Sequence, residues 1–135
     1  MSSASTSPDL TFFTDYSLGG VTVAAALRAA GARVEIHLDW FAPDLPDTDL
    51  LAEIGRRGWI FLSKDSNIRR RPLETNALLA ARVRAFILSS GNLRGEEQAE
   101  AFVRALPAIL KVCAQRSGPL IARVTRSGDV AIIRE

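Results

Sequence analysis

The chain predicts an α/β fold in which a central, mostly parallel sheet of four to five strands is flanked by helices. Three observations carry this. Apolar runs of strand length alternate with helix-period segments from the first strand onward. The opening strand, a helix of about four turns and the next strand are joined by short links, a βαβ unit that imposes parallel pairing. The run Trp59-Ile60-Phe61-Leu62-Ser63, bounded by Gly58 and Lys64, is apolar almost throughout, as a strand buried on both faces should be.

The elements follow in order. Leu10 to Thr14 is a first strand that ends at Asp15. Ser17 is a candidate N-cap for a helix carrying Val23, Ala26, Leu27 and Ala30 at helical spacing, and Gly31 stops it. Arg33 to Ile36 is the second strand. His37 to Pro46 holds Pro43 and Pro46 and reads as irregular. Asp47 begins a helix over Leu50, Leu51 and Ile54 that ends near Gly58, with Asp49 in its first turn, where a carboxylate suits the dipole. The central strand follows. Beyond Arg69, Arg70, Arg71 and Pro72, Leu73 to Ala81 is a helix and Val83 to Leu88 a strand, with a turn at Ser89-Ser90-Gly91-Asn92.

From Glu96 to Arg116 one apolar stripe (Ala99, Phe102, Val103, Leu106, Leu110 and Cys113) marks the clearest helix, with Pro107 expected to kink it. Leu120 to Thr125 and Val130 to Ile133, separated by Ser127-Gly128-Asp129, suggest a C-terminal hairpin.

With 135 residues, 47% of them apolar, the chain fits one core of ordinary size. A single domain over 10–135 is expected. Residues 1–9 are Ser/Thr-rich without an apolar segment and read as a mobile N-terminal tail, not a secretory signal. No apolar run approaches bilayer length, so no membrane association is expected. One cysteine, Cys113, excludes an internal disulfide and a cysteine-based metal cluster, and points to a reducing, cytoplasmic setting. On the helix stripe it reads as core. The net charge of +2 makes no case for nucleic acid by itself, yet 15 of the 17 basic residues are arginine, whose forks suit phosphate.

The chemistry-bearing feature is a set of acids. Asp15 and Asp65 follow strand ends, and strand carboxyl ends share one edge of a parallel sheet, where open α/β sheets bind ligands. Asp47 reaches that edge if the loop from His37 to Pro46 stays there. Carboxylates that converge repel, by about 4 kcal/mol per pair at ~4 Å and an effective dielectric of ~20. A cation compensates, and hard oxygen donors with open positions select Mg²⁺ or Mn²⁺ over Zn²⁺. The bland reading of Asp65 is a helix N-cap followed by a solvated basic turn.

The pieces Phe12-Phe13-Thr14-Asp15-Tyr16-Ser17-Leu18, Pro46-Asp47-Thr48-Asp49-Leu50-Leu51 and Gly58-Trp59-Ile60-Phe61-Leu62-Ser63-Lys64-Asp65, then the arginine run, resemble the PIN-like nucleases in order and spacing. The resemblance is to the compact bacterial, VapC-like branch found as toxins of toxin–antitoxin pairs. Gly91-Asn92-Leu93 and Pro119-Leu120-Ile121-Ala122-Arg123-Val124 resemble that branch's tail.

The resemblance implies a three-layer fold and a Mg²⁺-dependent endoribonuclease whose acidic ligands map to Asp15, Asp47 and Asp65, with Ser63 in a supporting place. Asp49 is an alternative second ligand. Where the family often has a fourth acid, Asn92 stands here instead. Implied partners are RNA and a small antitoxin. Arg69, Arg70 and Arg71 would then anchor RNA phosphates. Trp40 and Phe41 would either stack on bases or cover the core. His37 is a proton carrier or a hydrogen-bonded bystander. The apolar helices around Phe102 and Ile54 leave room for a homodimer face. A competing reading is a catalytically idle PIN-like interaction module. A receiver-like domain fits less well, because the later strands offer Ser but no Lys.

Overall fold

The structure is a computed structural model that describes residues 10–89 and 92–135. The expected tail, and Ser90 and Gly91 of the expected turn, lie outside the described residues. Six strands form one sheet: β1 (Thr11–Thr14), β2 (Arg33–Ile36), β3 (Ile60–Ser63), β4 (Arg84–Leu88), β5 (Leu120–Val124) and β6 (Val130–Arg134), in the order β2-β1-β3-β4-β5-β6. The first five are parallel and β6 is antiparallel to β5. The sheet is wider than the four to five strands expected, because the outer strand of the hairpin joins it.

Alternation along the strands sends side chains to two cores. On one face Phe12, Leu62, Phe86 and Ala122 pack under α1 (Thr22–Ala29) and α6 (Gly95–Gln115). On the other Phe13, Phe61, Ile87 and Ile121 pack under α3 (Asp47–Arg57) and α5 (Pro72–Ala80). Residues of β3 are at most 1% exposed, as its unbroken apolar character requires. Two four-residue helices, α2 (His37–Trp40) and α4 (Asn67–Arg70), complete the chain.

Several local expectations are corrected. Ser17 caps no helix; it lies in a 3-10 turn over Tyr16–Leu18, and α1 begins only after Gly19 leaves regular structure at φ +77°. Part of the segment His37 to Pro46 is helical, since neither proline lies within His37–Trp40. The basic run is not one turn: Arg69 and Arg70 sit in α4, and Pro72 starts α5 at the first helical position, where its missing N–H costs nothing. Phe102 and Ile54 themselves are fully buried in the core and offer no surface to a second copy. Cys113 is core, as its place on the α6 stripe implies; burial pushes its thiol up to about 11.

Candidate active site

The chain crosses from β1 to β2 on one side and then returns past β1 to β3. The crossover direction therefore reverses between β1 and β3, and such a switch point opens a crevice at the strand carboxyl ends. Asp15 follows β1 and Asp65 follows β3 by two residues, so they flank this crevice.

Asp15 is 8% exposed. Its Oδ2 accepts hydrogen bonds from Ser63 Oγ at 2.8 Å and Ser17 Oγ at 2.9 Å. The two hydroxyls are 3.1 Å apart, but each has one proton, already given to the carboxylate. They in turn accept from the backbone: Asp65 N–H donates to Ser63 Oγ at 2.9 Å, and Lys64 N–H to Ser17 Oγ at 3.2 Å. Ser63 thus ties the end of β3 to the acid that follows β1. On its other side, Asp65 Oδ1 accepts from the Asn67 N–H at 2.9 Å, an Asx turn that leads into α4.

His37, 3% exposed, stands behind Asp15. Its Nε2 is 2.9 Å from the Ala42 carbonyl oxygen and its Nδ1 is 3.7 Å from Asp15 Oδ1. That second distance is too long for a hydrogen bond, and Nδ1 has no other partner. With the Nε2 proton given to Ala42, a neutral ring would turn a lone pair toward the carboxylate; the imidazolium turns an N–H there. Attraction to Asp15, outweighing burial, accordingly raises the His37 pKa above its ordinary 6.5. Burial pushes the Asp15 pKa up, but His37, Ser63 and Ser17 together outweigh it and leave the acid below 3.8.

Asp47 is the first residue of α3, directly after its N-cap Pro46, which has no side-chain capping bond. It is half-buried and its pKa is raised, first by burial and then by the charges of Asp15, Asp65 and Glu74, with Arg71 opposing. Asp47 is therefore close enough to feel the other acids, whereas Asp49 is exposed.

Glu74 was not singled out from the sequence. It lies in the first turn of α5, where a carboxylate has an ordinary explanation in the helix dipole. Its depth is what sets it apart: 8% exposed, with Oε1 buried and without a hydrogen-bond partner. No sequence signal distinguishes that glutamate from a solvated one. Asn92 is exposed and makes no hydrogen bond to these acids among the described residues.

A Mg²⁺-like ion can be tested against this donor set. Four carboxylates of hard oxygen, mutual repulsion at Asp47 and an orphaned buried oxygen at Glu74 match what such an ion takes. Among the described residues, however, no three His, Cys, Asp or Glu side chains are grouped closely enough to hold an ion as they stand. The donor chemistry fits; closure would require the acids to draw together.

Beside Asp65 a cleft of about 270 Å³ is lined by Lys64, Ser66, Arg69, Arg70 and Ser89 over Ile87 and Leu88. Arg69, Arg70 and Arg71 are exposed and form no ion pair among the described residues. Of the two aromatics, Phe41 covers the core: half-buried, it packs edge-on against Phe13 at 5.8 Å. Trp40 is 45% exposed but fixed, its Nε1 donating to Glu35 at 2.9 Å and its ring lying 4.7 Å under the Arg57 guanidinium.

A family model described as "PIN like domain" matches residues 10–90. Among curated proteins, the chain is 32% identical over 125 residues to one from Mycobacterium tuberculosis (strain ATCC 25618 / H37Rv) named "Putative ribonuclease VapC45". The match covers 90% of this chain and 90% of that relative. No solved structure matches the chain.

Proposed function

The chain belongs to the PIN-like domain family, and from that premise we propose that it is a metal-dependent endoribonuclease, the toxin of a toxin–antitoxin pair. The observation that supports the reading is that the acids following β1 and β3 act on Asp47 at the start of α3, with a basic cleft beside Asp65. The named relative supports RNA as the substrate.

Asp15, Asp47 and Asp65 would hold Mg²⁺ or Mn²⁺, with Glu74 completing the acidic wall. When bound, such an ion lowers the pKa of water and offsets charge that develops at phosphorus. The chain's own residues supply the rest. Ser17 and Ser63 fix Oδ2 of Asp15, and Ser63 Oγ also holds the Asp65 backbone N–H, so the segments carrying the two acids are set relative to each other. Lys64, Arg69 and Arg70 hold backbone phosphates in the adjacent cleft, where affinity is independent of sequence and falls with salt. An antitoxin would silence the site by covering the crevice, most simply with an arginine set among the carboxylates. A cytoplasmic setting accords with the buried, unpaired thiol, and no helix of the described residues is long and apolar enough to cross a membrane.

The test is cleavage of single-stranded RNA by the purified protein with Mg²⁺ and with EDTA. Asp65→Asn keeps the side chain's shape and removes its charge. Activity should fall by more than the ~10–100-fold that loss of a ligand's supporting partner costs. Cleavage that survives EDTA, or an active Asp65→Asn protein, would refute the metal-dependent reading, and absence of any Mg²⁺-stimulated cleavage would favour the idle module.

A further inference from the structure

The basic surface does not stop at β3. A second cleft, of about 490 Å³, is lined by Ser89, Arg104, Thr125, Arg126 and Ser127. Ser89 also lines the cleft beside Asp65, so the two adjoin at the carboxyl end of β4. Strand β5 lies two strands from β3, which places the second cleft roughly 10 Å from the first along the same edge.

This second cleft is held in shape. The turn between β5 and β6 packs so closely on α6 that a Cβ on Gly128 would lie 2.6 Å from Arg104 Cβ. Gly128 also has φ +92°, so glycine is required there twice over. Within the turn, Asp129 N–H donates to Thr125 Oγ1 at 3.0 Å, and Ser127 Oγ donates to Asp129 Oδ2 at 3.1 Å. Ser89 N–H donates to the Val124 carbonyl at 2.9 Å, fastening the rim shared with the first cleft.

The two arginines stay available. Their side chains are 54% and 61% exposed, Arg104 lying 3.9 Å from Glu100 and Arg126 lying 3.0 Å from Glu97. Exposed pairs of this kind contribute little and exchange readily for a better anion, and a phosphate offers the arginine fork a bidentate partner. No aromatic lines this cleft, so bases have no stacking platform there, and the groups on offer suit a backbone.

We propose that the cleft formed by Arg104, Thr125, Arg126 and Ser127 is a distal subsite for the RNA backbone, which takes phosphates several nucleotides from the scissile bond. This rests on the ribonuclease reading and extends it: the strand enters at the switch point, follows Lys64, Arg69 and Arg70 past Ser89, and leaves over α6 and the β5–β6 turn.

The test is fluorescence anisotropy with the full chain in EDTA, using single-stranded RNAs of about 4 and about 16 nucleotides, the span that single-strand binding sites cover. Arg104→Gln with Arg126→Gln should weaken the longer RNA about tenfold, and should lower its salt slope by about 1.4, two single-strand phosphates at 0.7 each. Binding of the shorter RNA, and its cleavage in Mg²⁺, should be unchanged. Arg104→Lys with Arg126→Gln retains the stem against Gly128 and should fall between the two. Equal losses for both RNAs, or an unaltered salt slope, would overturn the subsite. Unchanged RNA binding with weakened binding of polyglutamate would give the cleft to an acidic protein segment instead. A parent protein that binds neither RNA would sink the ribonuclease reading itself.

Discussion

Glu74 concentrates the physical tension of the site. A carboxylate 8% exposed, with one oxygen lacking a partner among the described residues and its charge felt by Asp47, is costly to bury uncompensated, and a cation would offset that cost. Glu74→Gln removes the charge and keeps the volume. In EDTA the variant should gain stability of order 1–2 kcal/mol, the size of a like-charge interaction across several ångströms at an effective dielectric of ~20. The stabilisation that Mg²⁺ gives the parent should shrink at the same time. Urea unfolding with and without Mg²⁺ reads both. A variant that is weaker in EDTA, yet stabilised by Mg²⁺ as much as the parent, would make Glu74 an ordinary structural acid. The aspartates were legible in the sequence because strand ends and helix starts announce themselves by periodicity. Glu74 was not, since its depth depends on how α5 leans on α3. Ser17 misled for a related reason: a serine before an apolar periodic run reads as a cap, and the crevice claims its hydroxyl first.

At the level of elements, α3 and α5 meet through Gly55. A Cβ there would lie 2.2 Å from the Ala81 carbonyl oxygen and 2.8 Å from its Cβ, so backbone faces backbone and neither can rotate away. In an exposed helix, Gly→Ala would stabilise by roughly 0.5–1 kcal/mol. Here the clash dominates, and Gly55→Ala should cost about 1–3 kcal/mol, as other overpacked contacts do. Urea unfolding against the parent checks the sign, and a stabilised variant would show that α3 and α5 shift apart freely. Because α3 begins with Asp47 and α5 carries Glu74, the same displacement would move two of the four acids, and cleavage should fall with stability. The helices were readable from spacing, α6 best of all: of its predicted stripe Ala99, Phe102, Leu106 and Cys113 are buried, while Val103 and Leu110 are half-buried at its margin. What spacing does not encode is which helices touch. Read from spacing, the helices around Phe102 and Ile54 leave room for a dimer face, but these two side chains are taken up by the two cores on opposite faces of the sheet.

For the molecule as a whole, the candidate site is a consequence of topology, since the reversal between β1 and β3 sets Asp15 and Asp65 near enough to Asp47 to add to the rise that burial gives its pKa, although among the described residues no three acids are grouped closely enough to hold an ion. The same topology also links folding to pH. His37, carried past the end of β2, faces Asp15 from behind, and the attraction that raises its pKa is absent in the unfolded chain. With its folded pKa above 6.5, His37 contributes stability that is complete below 6.5 and is lost as pH rises through the raised value. Asp15 acts oppositely: its lowered pKa contributes stability above 3.8 that is lost only in more acid solution. Asp47, raised, favours the folded state at acid pH and ceases to as pH climbs from 3.8. In EDTA the parent should therefore lose stability as pH rises from 6.5, with a slope no steeper than the ~1.4 kcal/mol per pH unit that one proton allows. His37→Gln retains a group able to reach the Ala42 carbonyl but cannot be protonated, so its stability should be flat over that range. Urea midpoints taken stepwise in pH for the two proteins give the comparison. If the two curves run parallel above 6.5, the imidazolium–carboxylate pair does not exist in solution, and Asp15 is held by Ser17 and Ser63 alone.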